Sequence, residues 1–494
     1  MLTLLVINIV TGGRNFDSRM TSSSTLAYSC IFSYYFSCCL FAYKIFCIII
    51  ETFTNKGAAM LISLSIDNCL VFDTETEFSL QANMQSRRFA QNIVPAGKIH
   101  VVKSAIVIGP NNSGKTNLVM IFKTLKNVLL NTPVILKENL FSTKTICSLS
   151  VTFSVDDHEY VYAIKHDTAT SEYVYERFSQ VLRDKYGNRK EVVWLLRDGI
   201  ENKNESKDRK LTEMMELASK RNLLMHALDT SRFPTLDTIK RLLTTFASSI
   251  DVIDMNNIPL EKTVEMMKAN PEKRQKIADF VKNADLFLQD YKYLNDDEFR
   301  TLYNNYGAQN MQPDKNRVQE VSIRRNETFI DKLHLVSVYK GIQVPSIIFD
   351  STGTKKLAAL ASYVLDALEQ GRILVIDELD NSLHFKLTRE IIAMFNNEMN
   401  QRAQLIATVH DVSLLDCRTL FRKEQIWFSH KDSEHAYLYS LGEFSAGEDG
   451  IRETTDLIEK YKRGLLGALP KPDLFNSLYD ACNISRTSTS GKED

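Results

Sequence analysis

Apolar and polar positions recur along this chain with periods that change from one stretch to the next. Residues 99–108, IHVVKSAIVI, are almost continuously apolar and β-branched and read as a buried strand. Residues 118–129, LVMIFKTLKNVL, carry their apolar residues at helical spacing. From Ser148 to about Leu195 the segments SLSVTFSV, EYVYAI, EYVYERF and EVVWLL alternate, with the short polar turns DDHE, DTATS and DKYGNRK between them. That alternation predicts an antiparallel meander. From about Lys207 to Glu298 the spacing is helical, as in KLTEMMELASKRNLLMHAL and TLDTIKRLLTTFASSI. Residues 314–331 are strongly charged and predict a surface hairpin or loop. An α/β pattern returns from about Lys332 to Glu443, and SRTSTSGKED at the end has the composition of a disordered tail.

The first 59 residues differ from the rest. Ala27–Ile50, AYSCIFSYYFSCCLFAYKIFCIII, is long enough to cross a bilayer, but three serines and Lys44 interrupt it. It carries no small-residue cleavage site of a secretory leader. Met60 opens MLISLSIDNCLVF, which reads as the first strand of a cytosolic domain. Three readings stand side by side: translation starting at Met60, a membrane anchor, or a soluble extension.

The whole chain has 494 residues, enough for two to three domains, with 44% hydrophobic and 24% charged residues. A net charge of −1 neither requires nor excludes nucleic acid as a partner, since a local basic groove needs no overall excess. Eight cysteines form no C-x-x-C pair, no zinc spacing and no disulfide framework, which fits a reducing cytoplasm.

Between the apolar strand and the helix lies GPNNSGKTN, Gly109, Pro110, Asn111, Asn112, Ser113, Gly114, Lys115, Thr116 and Asn117. Gly109, Gly114, Lys115 and Thr116 fill the phosphate-loop pattern G-x-x-x-x-G-K-[ST]. The glycines let successive backbone N–H groups face an anion, and the following helix adds its positive end. Lys115 can reach the β- and γ-phosphates of ATP, and the Thr116 hydroxyl can ligate Mg2+.

The matching chemistry lies far downstream. Ile373–Ile376 is an apolar strand ending in Asp377 and Glu378. The first carboxylate suits the nucleotide's Mg2+, and the second suits the attacking water. Leu405–Val409 is another apolar strand, ending in His410, which can touch a γ-phosphate. Ahead of both, Ser351, Thr352 and Gly353 open an amphipathic helix with Leu357, Leu360, Ala361, Val364, Leu365 and Leu368 on one face. Its N-terminus is a second anion-facing helix start.

The order of phosphate loop, STGTK helix, ILVIDELD and ATVHD resembles ABC-type AAA ATPases of the SMC, RecF and overcoming-lysogenisation-defect group. STGTKKLAAL, LLDCRTLFRKEQIWFSHKD, LYSLGEF and KYKRGLLGALP are most similar to stand-alone AAA ATPases of abortive-infection, anti-phage systems. The resemblance spans residue 60 to about 472 and implies an ABC-type P-loop head of α/β class with an antiparallel β subdomain and a helical insertion. The boundaries it suggests are 1–59 for the extension, 60–200 for the front half of the head, 201–331 for the helical insertion, 332–472 for the back half and 473–494 for the tail.

It also implies a homodimer or higher homo-oligomer whose heads sandwich ATP. Ser351 and Gly353 of one copy would face the phosphate loop of another, and Asp380 falls where the family's D-loop aspartate crosses that interface. The signature STGTK departs from LSGGQ, so no glutamine contact carries over, and no Q-loop residue is evident between Leu130 and Ser150. The stretch after His430 lacks the Asp-x-Asp of the TOPRIM nucleases, so a separately encoded toxin or nuclease is the expected effector. A DNA-repair ATPase of the RecF or SMC sort, binding DNA directly, is the alternative.

Overall fold

Alternate residues of Ile146–Val155 are buried, Cys147, Leu149, Val151 and Phe153 among them. In Ser104–Ile108, Ile373–Asp377 and Gln404–Val409 every residue is buried. The first pattern belongs to a sheet with one covered face, the second to strands covered on both. The computed structural model describes residues 59–184, 186–198, 202–204, 208–284, 287–302, 331–432, 435–452, 454–469 and 474. The apolar segment 27–50, residues 314–330 of the charged segment and the tail 485–494 lie outside the described residues. Among the described residues no helix is long and apolar enough to cross a membrane.

The described chain opens with β1 (Met60–Asp67), β2 (Thr76–Ser79), the ribbon β3 (Ile93–Ala96) and β4 (Ile99–Val102), then β5 (Ser104–Ile108) and α1 (Lys115–Leu129). The meander follows as β6 (Ile146–Val155), β7 (His158–Asp167), β8 (Glu172–Arg183) and β9 (Arg189–Arg197), with β10 (Asn202–Asn204). Helices α2 (Arg209–Leu217), α3 (Leu224–Ala227) and α4 (Pro234–Ser249) lead into β11 (Ile250–Asp254). Next come α5 (Glu261–Ala269), α6 (Pro271–Ala284), β12 (Asp290–Tyr293), β13 (Leu335–Tyr339) and β14 (Ile342–Pro345). The back half is α7 (Ser346–Phe349), α8 (Thr352–Gln370), β15 (Ile373–Asp377), α9 (Phe385–Asn396), β16 (Gln404–Val409), β17 (Ile426–Lys431), β18 (Ala436–Ser440) and α10 (Leu457–Lys462).

Two large sheets result. One runs β10-β9-β8-β7-β6-β1-β2, the other β11-β15-β16-β5-β17-β18. In the second, β11, β15, β16, β5 and β17 are parallel and β18 is antiparallel. Ala407 of β16 lies opposite both Ile106 of β5 and Ile376 of β15, so the C-terminal ends of these three strands are level.

The parallel strands divide two cores. Ala105, Val107, Val375 and Ile406 face the antiparallel sheet, α1 and α4, where Phe246 of α4 stacks on Phe153 at 4.5 Å. Ile106, Ile108, Leu374, Ile376 and Leu405 face α8 and α9. Burying each of these valine, leucine and isoleucine side chains stabilises the fold by about 1.5–3 kcal/mol. A third core joins α5, α6, β12 and β13 to Ala358 and Ala361 of α8. Gln404 fastens the two sheets: its Oε1 accepts from Leu61 N at 2.7 Å, and its Nε2 donates to Leu61 O at 3.0 Å.

Two expectations change here. Within the stretch read as helical, Asp290–Tyr293 forms a strand paired with β13, and Ile250–Asp254 forms a strand that pairs in parallel with β15 over five residues. The latter's pattern IDVID is short and follows α4 without a glycine or proline break, so the helical period masks it; pairing with β15 decides the outcome. Asp251 of this strand takes Arg372 at 2.7 and 2.9 Å, which anchors it beside the start of β15. The second correction concerns the cysteines. Cys69 and Cys147 form a disulfide across 78 residues. β1 and β6 are antiparallel neighbours with Asp67 opposite Ser148, which brings Cys69, two residues past the end of β1, to Cys147, the second residue of β6. Spacing along the chain carries no trace of that pairing.

Candidate functional site

The phosphate loop leaves the C-terminal end of β5 and closes at Gly114, the N-cap of α1. A Cβ at Gly109 would lie 2.0 Å from Ser429 O, so no other residue fits between this loop and β17. Ser429 Oγ donates to Ser113 O at 2.9 Å and pins the loop from the same side. Ser113 Oγ is buried with no partner. Pro110 is half-buried, Asn111 and Asn112 are exposed, and Asn112 adopts a left-handed backbone with φ 63°. Thr116 is exposed and Asn117 half-buried on the first turn of α1. Lys115 is buried, and its Nζ donates to Gly109 O at 2.7 Å and Pro110 O at 2.8 Å. Burial lowers the pKa of its ammonium, partly opposed by the charges of Asp377, Glu378 and Asp380.

Asp377 is the last residue of β15 and is buried. Its Oδ1 accepts from Thr408 Oγ1 at 2.6 Å, and the same hydroxyl accepts from Glu378 N at 2.8 Å. Thr408, one residue before the end of β16, therefore fixes both acids, a role that pattern reading missed. Glu378 takes the left-handed conformation at φ 54°. Its Oε2 accepts from Asn256 Nδ2 at 2.9 Å and from Asn381 Nδ2 at 2.8 Å. His410 Nε2 lies 3.7 Å from its Oε1. These donors, Asn381 first and then Asn256, hold the Glu378 carboxyl below its ordinary pKa against the opposing effect of partial burial.

Asn256 follows β11, the strand beside β15, and enters the site only because β11 joins the parallel sheet. Asn381 also donates to Asn256 Oδ1 at 2.7 Å, so the two amides brace one another on the carboxylate. Asp380 accepts from His410 N at 2.8 Å and Asp411 N at 2.7 Å through Oδ2, and its Oδ1 is buried without a partner. Within one chain this aspartate is turned toward the histidine loop.

Ser351 is the N-cap of α8, its Oγ accepting from Thr354 N at 3.1 Å. A Cβ at Gly353 would lie 2.7 Å from Ser382 O, so the helix start sits directly on the loop after the acidic pair. Lys356 Nζ donates to Asn381 Oδ1 at 2.8 Å across the same contact. The hydrogen bonds of the Ser351 hydroxyl stay within α8. Lys115, Asp377, Glu378 and His410 thus share one edge of the parallel sheet, while the start of α8 meets the 381–382 loop through Gly353 and Lys356.

The site can hold a triphosphate and polarise a water: an anion-facing loop, a buried cation, a fixed buried acid and an ionised carboxylate beside a histidine. Among the described residues no group of three or more His, Cys, Asp or Glu could hold a metal alone. Asp377 and the exposed Thr116 hydroxyl are hard oxygen donors that suit Mg2+, which completes its shell with phosphate oxygens and water.

Residues 269–416 match the family model described as "AAA domain, putative AbiEii toxin, Type IV TA system". That stretch contains Ser351, Asp377, Glu378 and His410 and lies C-terminal to the phosphate loop. No curated protein matches the chain. Among solved structures it is similar to the SMC head domain from Thermotoga maritima, with 10% identity and a TM-score of 0.35 over 77% of this chain and 98% of that one. It is likewise similar to an SmcHead solved bound to the C-winged helix domain of ScpA, with 12% identity and a TM-score of 0.38 over the same shares, 77% and 98%. The matched stretch is that of an AAA domain, and it ends six residues beyond His410.

Proposed function

We propose that the protein binds ATP with Mg2+, hydrolyses it to ADP and phosphate, and uses the cycle as a conformational switch. One observation carries this reading: the phosphate loop, Asp377, Glu378 and His410 stand at the level C-terminal ends of the neighbouring strands β5, β15 and β16. Ligands of parallel α/β sheets bind at that edge. Lys115 and the loop amides hold the phosphates. Thr116 and Asp377 would hold the Mg2+, which neutralises phosphate charge. Glu378, kept ionised by Asn381 and Asn256, orients and deprotonates the water, and His410 lies beside it for the γ-phosphate.

The second helix start, Ser351–Gly353, acts on nucleotide held by another copy, which makes association part of the cycle. The biological role we infer is that of sensor and regulator of an anti-phage or abortive-infection system with a separately encoded toxin or nuclease. It is supported by the motif resemblance and by the description of the matched family. Phosphate release from Mg-ATP by the purified full chain tests the chemistry. Release that is absent in the wild type, or undiminished in Glu378→Gln, overturns it. Phage challenge of cells carrying the chain and its neighbouring gene, with and without Lys115→Ala, tests the role.

A further inference from the structure

We propose that Asp350 is a positioning residue that sets where the Ser351 helix start points, and that it couples this start to the three-stranded sheet β12-β13-β14. Asp350 is 5% exposed and directly precedes Ser351. Three hydroxyls converge on its carboxylate. Ser337 Oγ and Ser346 Oγ donate to Oδ2 at 2.6 Å each, and Tyr339 OH donates to Oδ1 at 2.9 Å. A buried carboxylate is tolerated only when its oxygens are so occupied, and hydrogen bonds to a charged acceptor are about twice as strong as neutral ones.

The donors belong to other elements. Ser337 and Tyr339 lie on β13, the middle strand of the β12-β13-β14 sheet, and Ser346 opens α7. The helical insertion also grips α8, where Thr263 Oγ1 of α5 donates to Ala358 O at 3.0 Å within the third core that β12 and β13 share. On its other side the start of α8 rests on the 381–382 loop, through Gly353 and through Lys356 to Asn381. Asn381 in turn bonds Glu378. A displacement of β13 therefore moves Ser351 through Asp350 and reaches the carboxylate through Lys356 and Asn381. The β12-β13-β14 sheet becomes the input by which a bound partner changes hydrolysis at a site it does not touch.

This inference rests on the proposed function for Ser351, and the test separates the two. Asp350→Asn removes the charge and replaces one acceptor by a donor at nearly constant volume. In the full chain, affinity for a fluorescent ADP analogue, which reads the phosphate loop, should stay within about twofold of wild type. Turnover at saturating Mg-ATP and ATP-driven association should fall about tenfold or more, as small misplacements near a reacting centre do. The double variant Ser337→Ala, Ser346→Ala should fall in the same sense. Hydrogen exchange at Thr354 N and Lys355 N, which bond Ser351, should quicken in both variants while β5 and β16 keep their protection. Wild-type turnover with unchanged exchange in Asp350→Asn overturns the proposal. So does a loss of ADP affinity in step with turnover, which marks general unfolding. If the wild type neither hydrolyses ATP nor associates, the functional reading fails. The exchange at Thr354 and Lys355 then still decides whether Asp350 positions the helix.

Discussion

Asn256 Nδ2 lies 2.9 Å from Glu378 Oε2, across 122 residues of sequence. The amide comes from the turn that follows the edge strand of the parallel sheet and stabilises the ionised carboxylate, so it both aims this group and lowers its pKa. Asn256→Ala should lower turnover roughly tenfold, less than the 10²–10⁴ lost with the base itself, with ADP affinity unchanged. Turnover of the wild type should fall as pH drops through the depressed Glu378 pKa. A hydrogen bond donated to the anion favours the anion, so its removal raises that pKa and moves the acid limb to higher pH. A pH–rate profile of the two proteins checks the sign.

Lys115 and Glu378 should separate binding from chemistry. Lys115→Ala removes the buried cation and should abolish most nucleotide affinity. Glu378→Gln should bind nucleotide normally and slow hydrolysis by about a hundredfold or more, in line with general-base losses of 10²–10⁴. Equilibrium binding and single-turnover rates distinguish these outcomes. Equal affinity in wild type and Lys115→Ala would contradict the role given to the loop.

Ser351→Arg tests action between copies. Loss of an exposed helix cap costs only about 1 kcal/mol, so the variant should fold. ATP-driven association and hydrolysis should nevertheless disappear. A mixture with Lys115→Ala should regain part of the activity, because each mixed pair contains one composite site with both defects and one with neither. Full hydrolysis by isolated single copies contradicts the two-copy arrangement.

The Cys69–Cys147 bond closes a loop of 78 residues around β2 to β5 and α1. Chain entropy alone makes such a closure worth about 4 kcal/mol, and strain or residual structure reduces it. A reductant should lower the melting temperature of the wild type by several degrees and leave Cys147→Ser unmoved. Thermal scans with and without dithiothreitol, beside a thiol count, decide whether the bond persists in the purified protein.

What could be read from the sequence was local. The phosphate loop, the acids ending β15, His410 after β16 and the Ser351 cap are each marked by a few adjacent residues, and the structure places them on those elements. The residues that arrange them are remote in sequence. Thr408 reaches Asp377 only through the β15–β16 register, and Asn256 reaches Glu378 only because Ile250–Asp254 is a strand. Asp350 meets its three hydroxyls only once residues 13, 11 and 4 positions away are brought together by the fold. Periodicity describes which face of an element is buried; it carries nothing about which polar groups meet when the elements are stacked.

Glu378 holds its carboxylate in place from a left-handed backbone, at φ 54°. A side chain other than glycine, or at lesser cost asparagine, sits there at an expense of roughly 1 kcal/mol. The fold alone would be better served by either of those residues. Descendants of this chain that cease to turn over nucleotide are released from that compromise, and position 378 should be among the first to drift, toward glycine or asparagine. Such copies would keep the phosphate loop and gain thermal stability, leaving a stable nucleotide-binding relic whose history is written at a single site.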